Sequence, residues 1–106
     1  MAFYIKQNDT SPSILAELKD ANNTPVNLTA ATAKIFVKSV DGTLKIDESV
    51  DIINDTLGVV RYDWQTGDTD TVGTYSVEFQ VTYTDGAIET FPNTGSIALV
   101  VTKELN

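Results

Sequence analysis

Tyr75, Val77, Phe79, Val81 and Tyr83 alternate strictly with Ser76, Glu78, Gln80 and Thr82, the period of a strand with one buried face and one wet face. The strand is entered through Gly73-Thr74-Tyr75 and turns at Asp85-Gly86. Its return ends in Ile97-Ala98-Leu99-Val100-Val101. Asp-Gly between alternating apolar runs is a strong hairpin signal, so the segment reads as the central hairpin of a β-sandwich.

The rest of the chain extends the same pattern. Phe3 to Gln7 and Ser13 to Lys19 read as the first two strands, with Ile14, Ala16 and Leu18 on one face. Asp20 to Pro25 is a turn, because Asp and Asn accept local backbone hydrogen bonds and Pro25 cannot donate into a ladder. Val26 and Leu28 anchor a short extended piece. Thr32 to Ser39 sets Ala33, Ile35 and Val37 against Lys34, Phe36 and Lys38, and closes at Asp41-Gly42. Thr43 to Ile46 and Ser49 to Ile53 read as one or two shorter strands, and Leu57 to Trp64 turns Val60, Tyr62 and Trp64 inward. Helical periodicity is absent beyond a single turn at Asp68 to Thr71. The pattern predicts an all-β chain, an immunoglobulin-like antiparallel β-sandwich of about seven to eight strands forming a single domain over residues 1–106.

An acidic loop, then Gly73, then a Tyr opening the inward face of a strand matches the tyrosine corner of such sandwiches, in which the hydroxyl bonds back to upstream backbone. Tyr75 is therefore expected to hold the fold's corner.

Composition narrows the function classes. Fifteen acidic against seven basic residues leave a formal charge of −8, which repels nucleic-acid backbones and anionic membrane surfaces. The chain has no cysteine and no histidine, which removes a thiolate nucleophile, a disulfide framework, and the commonest general base and zinc ligand. No run approaches the roughly 20 apolar residues that span a bilayer, and Met1 to Lys6 lacks a signal peptide's apolar core. Sequons begin at Asn8, Asn22, Asn27 and Asn54, but without a secretory signal they read as chance products of a chain rich in Thr and Asn. No catalytic constellation is present, and a non-enzymatic binding or structural module is expected.

Three features are candidate sites. Asp63, Asp68 and Asp70 have a spacing that suits a hard cation such as calcium, although the loop lacks the distal Glu of an EF-hand, and turn formation before Tyr75 explains the same residues. Tyr4 and Phe91, if exposed together, make a sugar-stacking platform and a carbohydrate-binding module for host adhesion. The third is an outward sheet face. With the strands around Phe36, Gln80 and Ala98 sharing a sheet, it carries Phe36, Gln80, Ala98 and Val100 as a partner interface, with Lys34 and Lys38 able to pair with Glu78.

The order Asn8-Asp9-Thr10, Ile14 to Asp20, Thr24-Pro25-Val26-Asn27-Leu28-Thr29, Gly58-Val59-Val60-Arg61-Tyr62, Gly73 to Phe79 and Thr90-Phe91-Pro92 resembles the immunoglobulin-like amino-terminal domain of tailed-phage baseplate upper proteins over nearly the whole chain. The resemblance implies a virion structural protein, made in the host cytoplasm, that contacts other virion proteins within a symmetric homo-oligomeric assembly. It implies no enzyme; separately, no cofactor is expected beyond the calcium that the acidic loop could suit. The family domain is followed by a linker and a fibre or receptor-binding region, whereas this sequence ends at Leu105-Asn106. That ending raises the expectation of a decoration protein on tail or capsid beside the adaptor role.

Overall fold

The alternating segments become nine strands in the computed structural model, which describes residues 2–105. They are β1 (Ala2–Lys6), β2 (Ile14–Glu17), β3 (Thr32–Ser39), β4 (Leu44–Ser49), β5 (Asp51–Asn54), β6 (Val59–Tyr62), β7 (Gly73–Thr82), β8 (Ile88–Phe91) and β9 (Ile97–Thr102). The larger sheet runs β1-β9-β7-β3-β4, with β8 on β7, and the smaller runs β2-β6-β5. The expected all-β sandwich is thus present, with two differences. The strands number nine among the described residues, and β1 lies parallel to β9, Ala2 beside Ala98 and Lys6 beside Thr102.

β7 is the strand on which the larger sheet is assembled. Along one edge it pairs with the whole of β3, from Thr82 opposite Thr32 to Tyr75 opposite Ser39. Along the other, β9 takes Gly73 to Val77 and β8 takes Phe79 to Thr82. The return strand expected after Asp85-Gly86 is therefore split into two. Pro92 has no amide to donate, and Pro92 to Ser96 leave the ladder before Ile97 rejoins it.

The inward side chains of β7, Tyr75, Val77, Phe79 and Val81, meet Ile35 and Val37 of β3 and Leu99 and Val101 of β9 in one cluster. Ile14, Val60, Tyr62 and Trp64 close it from the facing side. Trp64 is buried, stacks edge-on to Tyr62 with ring centroids 5.4 Å apart, and donates its Nε1–H to the Pro12 carbonyl at 3.0 Å. Burial of each large apolar side chain contributes about 1.5–3 kcal/mol.

Two loops are pinned without regular ladders. Thr69 is buried, its hydroxyl donating to the Asp9 carbonyl at 2.7 Å while its own carbonyl accepts from the Asn8 amide at 3.0 Å. Gly58, at φ +65°, sits where an added Cβ would lie 2.7 Å from the Leu18 carbonyl oxygen and 2.8 Å from that of Val26. Both contacts are backbone, so neither can swing aside. Gly58→Ala is expected to lower stability by at least about 2 kcal/mol, from the left-handed φ and the clash together. Urea unfolding reads this as a lower midpoint; an unchanged midpoint would remove the close approach as a constraint.

Candidate interaction surface

The outer face of the larger sheet follows from its register. Ala2, Ala98, Ser76, Lys38 and Leu44 stand in one row across five strands. On one side of that row lie Tyr4 and Val100, directly paired. On the other lie Glu78 and Phe36, then Gln80 and Lys34.

Phe36, Gln80, Ala98 and Val100 therefore share this face, each half-buried, but they do not form one cluster. Phe36 is two strands and two same-face steps from Val100, a separation of about 17 Å at ordinary strand spacings. Gln80 lies one step further from Val100, between Lys34 and Thr90.

Two apolar spots result. Tyr4, 68% exposed, stands beside Val100 and Ala98 at one margin. Phe36 lines a shallow depression of about 300 Å³ with Leu44, Ser76 and Glu78. The pairing of Tyr4 with Val100 could not be read from the sequence, because it rests on the contact between β1 and β9 at opposite ends of the chain. Lys34 does not pair with Glu78. It reaches Asp47 on β4 at 2.6 Å and lies over the Phe36 ring at 5.5 Å, because β4 brings Asp47 directly opposite Phe36.

The acidic loop is occupied by other work. Asp63 lies 3.1 Å from the Arg61 Nε and accepts from the Ser13 hydroxyl at 2.5 Å. Asp68 accepts from the Tyr62 hydroxyl at 2.6 Å and from the Gln65 amide at 2.8 Å, capping the turn that precedes β7. Asp70 accepts from Lys45 Nζ at 2.5 Å and from the Thr71 hydroxyl at 3.0 Å. Its pKa is held below the ordinary value mainly by the bond from Lys45. Each carboxylate thus answers a different donor, and among the described residues no group of three or more His, Cys, Asp or Glu side chains is placed to hold a metal ion. Burial, with the bond to Asp68, raises the Tyr62 phenol above its ordinary value, so that hydroxyl remains a donor at neutral pH.

Tyr75 is buried, and its hydroxyl donates to the Thr71 carbonyl at 2.7 Å, four residues upstream. Tyr4 and Phe91 do not lie together on the surface. Phe91 is 2% exposed, packed beside Phe79 across the β7–β8 pair, which leaves Tyr4 as the outward member. Alternation over so short a strand did not separate these cases.

The family model described as BppU N-terminal domain matches residues 2–104. Among solved structures, CopC from Methylosinus trichosporium OB3b is similar in fold, with a TM-score of 0.58 and 17% identity over 97% of this chain and 85% of that one. At that identity the likeness concerns the fold. Comparison with curated proteins finds no match.

Tyr75→Phe leaves the Thr71 carbonyl without its donor and is expected to cost about 1–3 kcal/mol, read by denaturant unfolding; a neutral effect would remove the corner as a stabilising contact. For Asp70 the folded pKa lies below the ordinary 3.8. Its contribution is present above that value and is lost as pH falls through the lower folded value. Asp70→Asn should therefore flatten the fall in melting temperature below about pH 4 while leaving the slope at neutral pH unchanged. An acid limb identical to the parent's would remove the Lys45 contact as its source.

Proposed function

The chain belongs to the BppU N-terminal domain family, the amino-terminal domain of phage baseplate upper proteins, and from that premise we propose that it docks within the virion through the outer face of its larger sheet. The coarser role is that of a baseplate structural domain. Among the described residues no helix is long and apolar enough to cross a membrane.

The observation that carries the docking face is the position of Tyr4. A large, 68% exposed aromatic ring stands beside Val100 and Ala98, with the small side chains of Ala2 and Ser76 in the adjoining row. Such a ring supplies contact area at little entropic expense, the usual character of an interface anchor. Phe36 and Leu44 extend the footprint to the opposite margin, with Gln80 beside Lys34 offering a polar rim. The partners are other virion proteins, and the chain acts as one of several copies in a symmetric assembly. Individually weak contacts then hold through their multiplicity. The role is mechanical and non-enzymatic.

The double variant Tyr4→Ser with Val100→Thr, which removes the apolar anchor without placing like charges opposite each other, is expected to lower the number of copies that cosediment with purified baseplates by about tenfold. Both side chains point outward, so its melting temperature should stay close to the parent's. An unchanged copy number would overturn the assignment of this face.

A further inference from the structure

The two sheets differ in width, and the difference is exposed on one flank. On the other flank, β4 passes into β5 through Val50, which joins the sheets at a corner. Here β1 ends the larger sheet and β2 the smaller, and neither has a further neighbour among the described residues. The inner face of the larger sheet is consequently covered only in part: Ile5 is buried, whereas Phe3 and Ile97 are half-buried. Between β1 and β2 runs a groove of about 630 Å³ walled by Phe3, Ala16, Val59 and Ile97, with Glu17 and Lys19 beside them.

The edge of β2 that borders this groove has no strand paired to it among the described residues. The Leu18 amide donates to the Gly58 carbonyl at 2.7 Å. Since backbone groups in an antiparallel ladder alternate in direction, Ile14 and Ala16 address β6, and those of Leu15, Glu17 and Lys19 face away from it. The side chains alternate too. Ile14 and Leu18 are buried in the core, and Leu15 is 59% exposed.

We propose that this edge accepts an extended segment of a neighbouring virion protein as a fourth strand of the smaller sheet. The inference rests on the baseplate role above and specifies how one partner is held. The guest's backbone would pair with Leu15, Glu17 and Lys19, and its inward side chains would cover Phe3 and Ile97, as in other cases of strand addition. Charge selects the guest. Glu17 and Lys19 are one same-face step apart, so an antiparallel guest gains cross-strand pairs by presenting an acid opposite Lys19 and a base opposite Glu17. The chain's charge of −8 favours basic residues flanking that segment. A second copy joined through its own β2 does not fit, because its wider sheet would bring a second β1 into the space already held by the first.

The test is amide hydrogen exchange on the full chain, free and bound to purified baseplates. The amides of Leu15, Glu17 and Lys19 should exchange at least about tenfold more slowly when bound. Glu17→Pro, which removes an outward N–H and leaves the bonds to β6, should lower the bound copy number by about tenfold. Glu17→Lys keeps the backbone intact and should weaken binding severalfold through charge alone, which preserves the test if the proline variant folds poorly. Binding with these amides unprotected, or undiminished binding by Glu17→Lys, would overturn the strand addition while leaving the baseplate role. Failure of the parent chain to bind would overturn both.

Discussion

Everything in this sandwich is organised by the hydrogen bonding of β7 along both of its edges. A strand satisfied on two sides presents no backbone groups to water, so its full length can lie at the centre of the larger sheet with Tyr75, Val77, Phe79 and Val81 turned into the core. The tyrosine corner sets where that strand begins. With the Tyr75 hydroxyl on the Thr71 carbonyl and Asp68 capping the turn before it, the chain enters β7 from a fixed direction. The outer face is the other half of the same strand, since Ser76, Glu78 and Gln80 point outward because their neighbours point in.

What the sequence revealed follows the range of the forces involved. The alternation in β7 and β3 and the Asp-Gly turns are local, and the limits of β3, Thr32 to Ser39, were legible exactly where its apolar positions lie. Register between distant strands was not. Lys34 chose Asp47 over Glu78 because of where β4 falls against β3, and nothing near Lys34 in sequence encodes that. The parallel pairing of β1 with β9 joins residues almost a chain length apart, so the neighbourhood of Tyr4 and Val100 was hidden although each residue was visible. The four residues read as one patch, Phe36, Gln80, Ala98 and Val100, do share a face, but face membership is a period-2 property and proximity is a register property.

The distribution of charge supports the same division of labour. Lys34, Lys45 and Arg61 are each engaged by carboxylates, which leaves most of the acidic side chains without a cationic partner among the described residues. Such a surface resists casual association with its own kind. The acidic loop before β7 belongs to this framework too: its carboxylates engage Arg61 and Tyr62 of β6 and Lys45 of β4, contacts that tie the loop to both sheets.

The parallel alignment of β1 and β9 also decides how the domain would carry a load. Ala2 lies beside Ala98 and Lys6 beside Thr102, so a pull applied at the start of β1 and at the end of β9 acts along the strands in opposite senses. The bonds between them are then strained together in shear, since no terminal bond can open ahead of the rest as in a zipper. A domain stretched in this direction resists with its whole edge ladder at once, a geometry suited to a part that must stay closed while force passes through it.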